Sequence, residues 1–423
     1  MATTSIADRF STSTARSWLD RLWGSIADRG RAYASVPANS IAPAERARLL
    51  ARDLLSGRGE ASGAARAREL LGVLDGLEPA ERLAFCRDLA TQYLPDPLAL
   101  RQAAEEYLAD PAPARASALA DAAEPPRQEL LRRMNQAQGG TAALVGLRKF
   151  VLGALRAHPE LAPLDSDLRH LFASWFNRGF LELRRIDWNT PASVLEKLIR
   201  YEAVHEIQGW DDLRRRLAAD RRCFAFFHPA LPGDPVIFVE VALVRGLSSA
   251  VAPLLVQAVA PEAEADTAIF YSISNCQDGL RGISFGNFLI KQVVEELKQE
   301  LPQLRQFATL SPVPGFRRWL EKRADAPQDL GNPAPLQAEL TRLAAVYLTD
   351  PAGRDPVARF HLGNGARLER INWMGNPAAR GMQESLGVMV NYLYDPDSIE
   401  ANHEAYATGG RVARSAAVEA LLR

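Results

Sequence analysis

The composition of the chain changes near residue 175, and this change limits the folds that the chain can adopt. From Ala42 to Phe176 the sequence is rich in Ala, Leu, Arg and Glu, with apolar residues at helical spacing and prolines between the segments. After Gly179 come β-branched and aromatic runs typical of strands, namely CFAFFHPA, VIFVEVAL, AIFYSIS, FATLS and LGVMVNYLY, with helical segments between them. The sequence therefore predicts an all-α bundle, residues 1–175, followed by an α+β domain, residues 176–423.

Charge and cysteine usage exclude several classes of protein. The formal net charge of the 423 residues is -1, which argues against nucleic-acid or membrane-surface partners, because both attract basic proteins. The three cysteines form no CxxC pair, which suits a reducing compartment and excludes the usual cysteine zinc frameworks. The six histidines show no HxH or HExxH spacing, so we expect no metal site.

The N-terminal segment allows two interpretations of the protein's location in the cell. Residues 1–31 have the Ser, Thr and Arg bias of a mitochondrial transit peptide, yet they include Asp8, Asp20 and Asp28. Because acidic residues disfavour import, we expect a cytoplasmic protein of bacterial type, with mitochondrial import as the less favoured alternative. The long helical domain is a candidate assembly surface, and it predicts a homo-oligomer, either a dimer or a tetramer.

One serine and one histidine in the C-terminal half are candidates for chemistry. Ser311 ends the FATLS run and precedes Pro312, which favours an extended backbone at the serine. His361 follows an apolar run and precedes Gly363-Asn364-Gly365, which predicts a hairpin turn. Both side chains are thus expected at strand ends, where they can meet across a pocket. Taken alone, each is more often structural, the histidine at a turn and the serine at a strand end.

A glycine-bearing loop, Asn275 to Gly286 (NCQDGLRGISFG), separates the AIFYSIS run from the next helix. A strand, a glycine loop and a helix start gather free backbone N–H groups at the positive end of the helix dipole, which attracts phosphate. The loop has neither GK[ST] nor GxGxxG, so a tight connection and a ligand site remain equally consistent with it. Since the strand after the helix ends in Ser311, one ligand can reach both the glycine-bearing loop and Ser311.

The order of these elements resembles the coenzyme A binding core of the GNAT acyltransferase fold. Six blocks further resemble the malonyl-CoA decarboxylase family: HPALPGDPVIFVEVAL, AIFYSIS, GLRGISFGNFLIKQVV, LSPVPGFRRWL, DPVARFHLGNGARLERINWM and GVMVNYLYD. The resemblance runs from Phe176 to Tyr394 and implies a GNAT-like α+β catalytic domain behind a helical N-terminal domain. It implies malonyl-CoA as substrate and acetyl-CoA and CO2 as products. No cofactor is expected, because the thioester itself is the electron sink.

The resemblance also implies roles for individual residues. Ser311 and His361 would be the catalytic pair. Protonation of the α-carbon requires an acid of near-neutral pKa, which suits His361 as acid and oxyanion partner, while Ser311 would bond His361 and the malonyl carboxylate or thioester. The sequence leaves the division of roles between the two residues open. Tyr394 would lie near the malonyl group. The loop that binds the pyrophosphate end of the substrate would consist of Arg281, Gly282, Ile283, Ser284, Phe285, Gly286 and Asn287. Ser284 departs from the animal enzymes, which carry glutamate there, so another group must order the site or that role is absent.

Three other functions remain open at this point. They are a CoA-dependent acyltransferase of the same fold, a Ser/His acyl-CoA thioesterase acylated at Ser311, and a CoA-binding module without chemistry. Glu240 is either a paired polar group beside the pocket or an outward-facing residue of a half-buried strand, and the outward position is favoured. Asn372 and Trp373 are expected to support the pocket. Disposal of malonate-derived CoA ester and control of malonyl-CoA for lipid synthesis fit the sequence equally.

Overall fold

Helices build the N-terminal unit, as its composition predicted. Prolines stand in the first turn of six of the eight α-helices in the described part of this unit, where proline's fixed φ suits the helix and no intrahelical bond is lost. Their inner faces form a core that includes Leu50, Leu70, Leu89, Leu131 and Leu144. The helices are α1 (Pro43–Leu55), α2 (Glu60–Asp75), α3 (Pro79–Gln92), α4 (Pro97–Ala109), α5 (Pro113–Ala123), α6 (Pro126–Asn135), α7 (Gly140–Ala154) and α8 (Ala162–Trp175).

The computed structural model describes residues 41–56, 60–256, 258–283, 289–327, 329–350, 352–353 and 355–423. The chain divides into two units, of which the first joins Met1–Phe176 with Gln277–Ser284 and the second contains Asn177–Cys276 and Phe285–Arg423. The sequence did not suggest that Gln277–Ser284 groups with the helices. The segment with transit-peptide bias lies outside the described residues. No described helix combines the length and apolar character needed to cross a bilayer.

A mixed eight-stranded sheet forms the centre of the second unit. Its order is β1-β2-β3-β4-β5-β8-β6, with β7 also paired to β8. Only β4 and β5 pair in parallel, while the other neighbours are antiparallel. The strands are β1 (Glu182–Ile186), β2 (Arg221–Phe227), β3 (Pro235–Val244), β4 (Thr267–Asn275), β5 (Gln306–Thr309), β6 (Ser311–Pro312), β7 (Arg367–Asn372) and β8 (Met389–Leu393).

Helices connect and cover these strands. The parallel pair requires a crossover, and the predicted amphipathic helix supplies it with Val293, Val294 and Leu297 buried. This arrangement confirms the predicted succession of a helical N-terminal region and an α+β domain. The helices are α9 (Ala192–Tyr201), α10 (Trp210–Arg216), α11 (Ala252–Val256), α12 (Leu289–Glu300), α13 (Phe316–Leu320), α14 (Gln337–Thr349), α15 (Pro356–Gly363), α16 (Ala379–Ser385), α17 (Ile399–Gly409) and α18 (Ala416–Leu421).

The hairpin predicted around Gly363-Asn364-Gly365 is wrong. His361 lies in the last turn of helix α15, and the glycines end that helix before β7 begins. The helix forms because Asp355 caps its N-terminus and Pro356 occupies its first turn. Gly365 has a φ of 83°, and a Cβ there would lie 2.0 Å from the carbonyl oxygen of Ile399. The glycine therefore serves a tight helix exit rather than a β-turn.

The Asp355 carboxylate ties the segment after Ser311 to the helix that carries His361. Its Oδ1 accepts hydrogen bonds of 2.9 Å from the N–H groups of Val357 and Ala358. The N–H of Gly315, in the segment after Ser311, also favours the charged form of this carboxyl, and the Tyr347 hydroxyl donates to it at 3.4 Å. Burial raises the pKa of this carboxyl, although the hydrogen bonds oppose the shift. A single buried side chain thus fixes both segments.

We expect Gly315→Ala to destabilise the protein, because the new Cβ would lie 2.2 Å from the Tyr347 hydroxyl. Overpacking of this kind costs on the order of 1–3 kcal/mol. Gly409→Ala is the matched control, since nothing lies within 4 Å of a Cβ at that helical position. Thermal unfolding should show a lower Tm for Gly315→Ala than for the control, and equal Tm values would contradict the proposed close contact.

Candidate active site

Ser311 stands where the chain turns from β5 into β6. It pairs with Val390 of β8, and only 5% of the residue is exposed. Its Oγ lies 3.1 Å from Nε2 of His361 and donates a 2.9 Å hydrogen bond to Oγ1 of Thr309. The structure thus brings together the serine and histidine that the sequence singled out.

His361 is held on three sides. Its Nδ1 lies 2.8 Å from the hydroxyl of Tyr394, and its Nε2 faces Ser311. The ring stacks on Tyr392 with centroids 4.7 Å apart and planes 24° apart. With only 3% of the residue exposed, the imidazole is both desolvated and fixed in orientation.

Tyr394 is buried behind the histidine. The residue is 1% exposed, and its ring meets that of Phe270 edge-on. Burial raises the pKa of its phenol well above the ordinary value, so the hydroxyl keeps its proton. The structure therefore places Tyr394 in contact with His361.

The hydrogen bonds assign the protons of this cluster. A hydroxyl has one proton to donate, and that of Ser311 is directed to Thr309. The bond between Ser311 and His361 must then use a proton on Nε2. A neutral imidazole has a single N–H, so Nδ1 accepts from Tyr394. The result is a one-way chain of donors, from Tyr394 through His361 to Ser311 and Thr309.

The charge state of His361 differs from the expectation of a near-neutral pKa. Burial alone lowers the pKa of this imidazole to about 3. The cause is desolvation without a carboxylate to offset it. At neutral pH, His361 is therefore an uncharged hydrogen-bond donor, and the predicted imidazolium acid is not present in this state of the protein.

Two contributors to the site were missed by the sequence analysis, Thr309 and Tyr392. Thr309 is fully buried at the end of β5, and its Oγ1 accepts from the N–H of Tyr392 as well as from Ser311. The spacing of Thr309 and Ser311, two residues apart in FATLS, was an available signal because alternate strand residues share a face. Tyr392 had the same signal in NYLY, two residues before Tyr394.

A buried amide cluster supports the serine segment from the neighbouring strands. Asn391 donates to the carbonyl oxygens of Thr309, at 2.7 Å, and Ser248, at 3.0 Å. Its Oδ1 accepts from Asn372 and Arg370. Asn372 thus supports the site through Asn391, whose four hydrogen bonds satisfy the whole amide.

The candidate phosphate loop is described for Arg281, Gly282 and Ile283. The other four predicted members, Ser284, Phe285, Gly286 and Asn287, lie outside the described residues. Gly282 has a φ of 77°, which suits glycine. Arg148 of α7 donates to the carbonyl oxygens of Gly279, at 2.8 Å, and Arg281, at 2.9 Å.

Arg148 is itself anchored. Its Nε donates at 2.8 Å to Asp165, and only 2% of the residue is exposed. A Cβ on Gly279 would lie 2.0 Å from the carbonyl oxygen of Val145. Gly279 is therefore required for close packing against α7, whereas Gly282 provides the left-handed backbone.

The expectation that Glu240 faces outward is wrong. The residue is 1% exposed, and its carboxylate accepts a 2.8 Å bond from the guanidinium of Arg216. Burial raises the pKa of Glu240 to about 8, against the opposing effect of Arg216. Period-two alternation fails here because both faces of β3 are covered.

No group of three or more His, Cys, Asp or Glu side chains within the described part of the chain is placed to hold a metal ion.

Family comparisons cover most of the chain. The model of the malonyl-CoA decarboxylase N-terminal domain matches residues 93–176. The model of the malonyl-CoA decarboxylase C-terminal domain matches residues 179–333 and 323–423. Together they span both parts that the sequence analysis distinguished.

Curated relatives and solved structures agree with the family models. The mitochondrial malonyl-CoA decarboxylases of Anser anser anser and Mus musculus are each 36% identical over 334 residues, covering 67% of this chain and 66% and 68% of those proteins. The chain thus spans about two thirds of the length of these relatives. The crystal structure of malonyl-CoA decarboxylase from Rhodopseudomonas palustris is 50% identical, with a TM-score of 0.82 over 89% of this chain and 99% of that one. The corresponding Cupriavidus metallidurans structure is 38% identical, with a TM-score of 0.70 over 90% and 99%.

The buried imidazole yields a prediction about pH. An unfolded-state histidine titrates near pH 6.5, whereas His361 in the folded protein titrates near 3. The unfolded state therefore binds more protons below pH 6.5, and the contribution of His361 to stability is lost as the pH falls from about 6.5 towards 3. NMR of ring-labelled histidine, assigned by the signal lost in His361→Gln, should show no titration of His361 between pH 8 and 5. A midpoint near 6.5 would contradict the assigned neutral state.

Proposed function

The chain belongs to the malonyl-CoA decarboxylase family, and from this premise we propose that it converts malonyl-CoA to acetyl-CoA and CO2 at Ser311 and His361. The single observation that supports this mechanism is that His361 contacts two hydroxyls at once, Ser311 at 3.1 Å from Nε2 and Tyr394 at 2.8 Å from Nδ1.

Decarboxylation needs stabilisation of negative charge more than it needs a nucleophile. When the bond between the α-carbon and the carboxylate breaks, its electron pair moves into the thioester and forms an enolate oxygen. The thioester is the electron sink, so we propose that no resident cofactor takes part. The α-carbon then takes up a proton, which completes acetyl-CoA. Since His361 is neutral and Tyr394 retains its phenolic proton, solvent is the proposed source of this proton.

The donor chain fits the first of these steps. In the free protein the Ser311 hydroxyl points to Thr309, and rotation about its C–O bond would direct the same proton to the enolate oxygen. Nε2–H of His361 would continue to donate to Ser311, and Tyr394 would continue to donate to Nδ1. Such chains polarise each member and strengthen the terminal donor. Removing one such donor costs on the order of 3 kcal/mol in other enzymes.

The same series of hydrogen bonds disfavours the thioesterase alternative. A nucleophilic serine must pass its proton to the histidine, which requires an unprotonated Nε2 facing Oγ. In the proposed assignment, which follows from donation of the Ser311 hydroxyl to Thr309, Nε2 carries the proton that binds Ser311. The assigned tautomer therefore suits stabilisation of an enolate and leaves Ser311 without a base.

The loop from Arg281 to Asn287 is the proposed site for the pyrophosphate end of malonyl-CoA. The support in the described part is a backbone fixed by Arg148, whose guanidinium holds two loop carbonyls. The N–H groups of Leu280, Arg281 and Ile283 donate to carbonyl oxygens of the same segment, which further fixes the backbone at the start of the loop. The cytoplasmic location and the homo-oligomeric state remain predictions.

The assay that tests the function follows CO2, acetyl-CoA and free thiol from malonyl-CoA. The wild-type protein should release CO2 and form acetyl-CoA without free thiol, whereas free thiol would indicate hydrolysis. Tyr394→Phe removes only the hydroxyl that binds Nδ1, and we expect kcat to fall by about 10- to 100-fold with little change in KM. Ser311→Ala should lose at least as much. Wild-type activity in Tyr394→Phe would contradict the donor chain, and absence of CO2 from the wild-type protein would contradict decarboxylation.

Substitution of Arg148 tests the loop separately. Arg148→Lys cannot bind Asp165 and two carbonyls in the same geometry, so we expect a KM for malonyl-CoA about tenfold higher at similar kcat. Arg127→Lys is the control, since buried Arg127 also bonds a carboxylate, of Asp167, and a carbonyl, of Tyr93. Equal KM values in the two variants would remove Arg148 from substrate binding.

A further inference from the structure

Thr309 stands at the end of the donor chain, and its hydroxyl oxygen determines where the Ser311 proton points. We propose that Thr309 is a positioning residue that keeps the Ser311–His361 pair in the form that decarboxylates and out of the form that hydrolyses thioesters. The inference rests on the proposed decarboxylation, which it deepens by assigning a residue that controls the outcome of the reaction.

The hydroxyl of Thr309 is fixed in place. The residue has no exposed surface, and its Oγ1 accepts from the N–H of Tyr392 at 3.2 Å and from Ser311 at 2.9 Å. Its carbonyl oxygen accepts at 2.7 Å from the amide of Asn391. Being β-branched, threonine has few χ1 choices in a strand, so the acceptor keeps one position.

The direction of every hydrogen bond from Tyr394 to Thr309 depends on this acceptor. With Thr309 present, Ser311 uses its proton there, and His361 must donate from Nε2. Without an acceptor at position 309, a buried hydroxyl proton would be left unsatisfied, which costs free energy. The nearest other partner of Ser311 is Nε2 of His361. The imidazole would then carry its proton on Nδ1 and donate it to the Tyr394 oxygen, and the Tyr394 hydroxyl proton would turn away from the ring, so the series of hydrogen bonds would reverse.

With these hydrogen bonds reversed, Ser311 and His361 form a Ser–His dyad capable of hydrolysis. Oγ of Ser311 would attack the thioester carbon as its proton moves to Nε2, and the C–S bond would break with CoA leaving as the thiol after it receives that proton. A new Oγ–acyl bond is formed in this step. Water would then attack the acyl-serine with His361 as base, releasing malonate and restoring the serine. The products are free thiol and malonate, with no CO2.

The test uses Thr309→Val, which keeps the shape and removes the acceptor, and Thr309→Ser, which keeps the acceptor. The ¹⁵N shifts of the labelled His361 ring should show Nε2–H in the wild type and in Thr309→Ser, and Nδ1–H in Thr309→Val. Incubation with malonyl-CoA should give a ratio of free thiol to CO2 about tenfold or more above wild type in Thr309→Val only. Thr267→Val controls for loss of a buried strand hydroxyl, since Thr267 is equally buried in β4.

Each outcome decides one question. Nε2–H retained in Thr309→Val, or the same product ratio in Thr309→Val and Thr309→Ser, would overturn the role of Thr309. A wild-type protein that releases no CO2 would overturn the proposed function, while the tautomer measurement, which needs no substrate, would still decide the position of the proton. A ratio that rises equally in Thr267→Val would also overturn the inference, because the effect would then not belong to the Ser311 contact.

Discussion

The structure around the reacting pair depends on one buried carboxylate. Asp355 caps the N-terminus of α15 with two backbone hydrogen bonds, and the N–H of Gly315, in the segment that follows Ser311, also favours its charged form. Serine and histidine lie 50 residues apart in the chain, yet their side chains meet at 3.1 Å. Hydrogen bonds to a charged group are stronger than neutral ones, which suits a contact that must hold two segments in register.

Burial then sets the chemistry of the pair. The aromatic rings of Tyr392 and Tyr394 remove water from His361, and this lowers the imidazole pKa to about 3. The same desolvation strengthens every hydrogen bond that the ring makes. A neutral, well-oriented donor is what a developing enolate requires, whereas a charged imidazolium would demand a compensating carboxylate, which the contacts of His361 do not include.

The sequence predicted the fold class and the Ser311–His361 pair, because composition and local motifs carry that information. It did not predict that His361 lies on a helix, since the glycines after it resemble a turn while the helix start depends on Asp355 and Pro356, six and five residues earlier. It also missed Thr309 and the burial of Glu240. Both depend on contacts made by distant strands and helices, with Tyr392 and Arg216 respectively. Local patterns do not record such partners, nor the direction in which a hydroxyl proton points.

The anchoring of the glycine loop by Arg148 limits how this protein can be divided. The residues of that loop lie between two strands of the sheet in sequence, yet they group with the helical unit, where Arg148 and Asp165 hold them. A recombinant fragment beginning after residue 176 would contain every strand and the Ser–His pair but would lose the guanidinium that fixes the loop carbonyls. The loop of the C-terminal family domain therefore depends on an arginine of the N-terminal one, and gene fusions or circular permutants should keep both halves together.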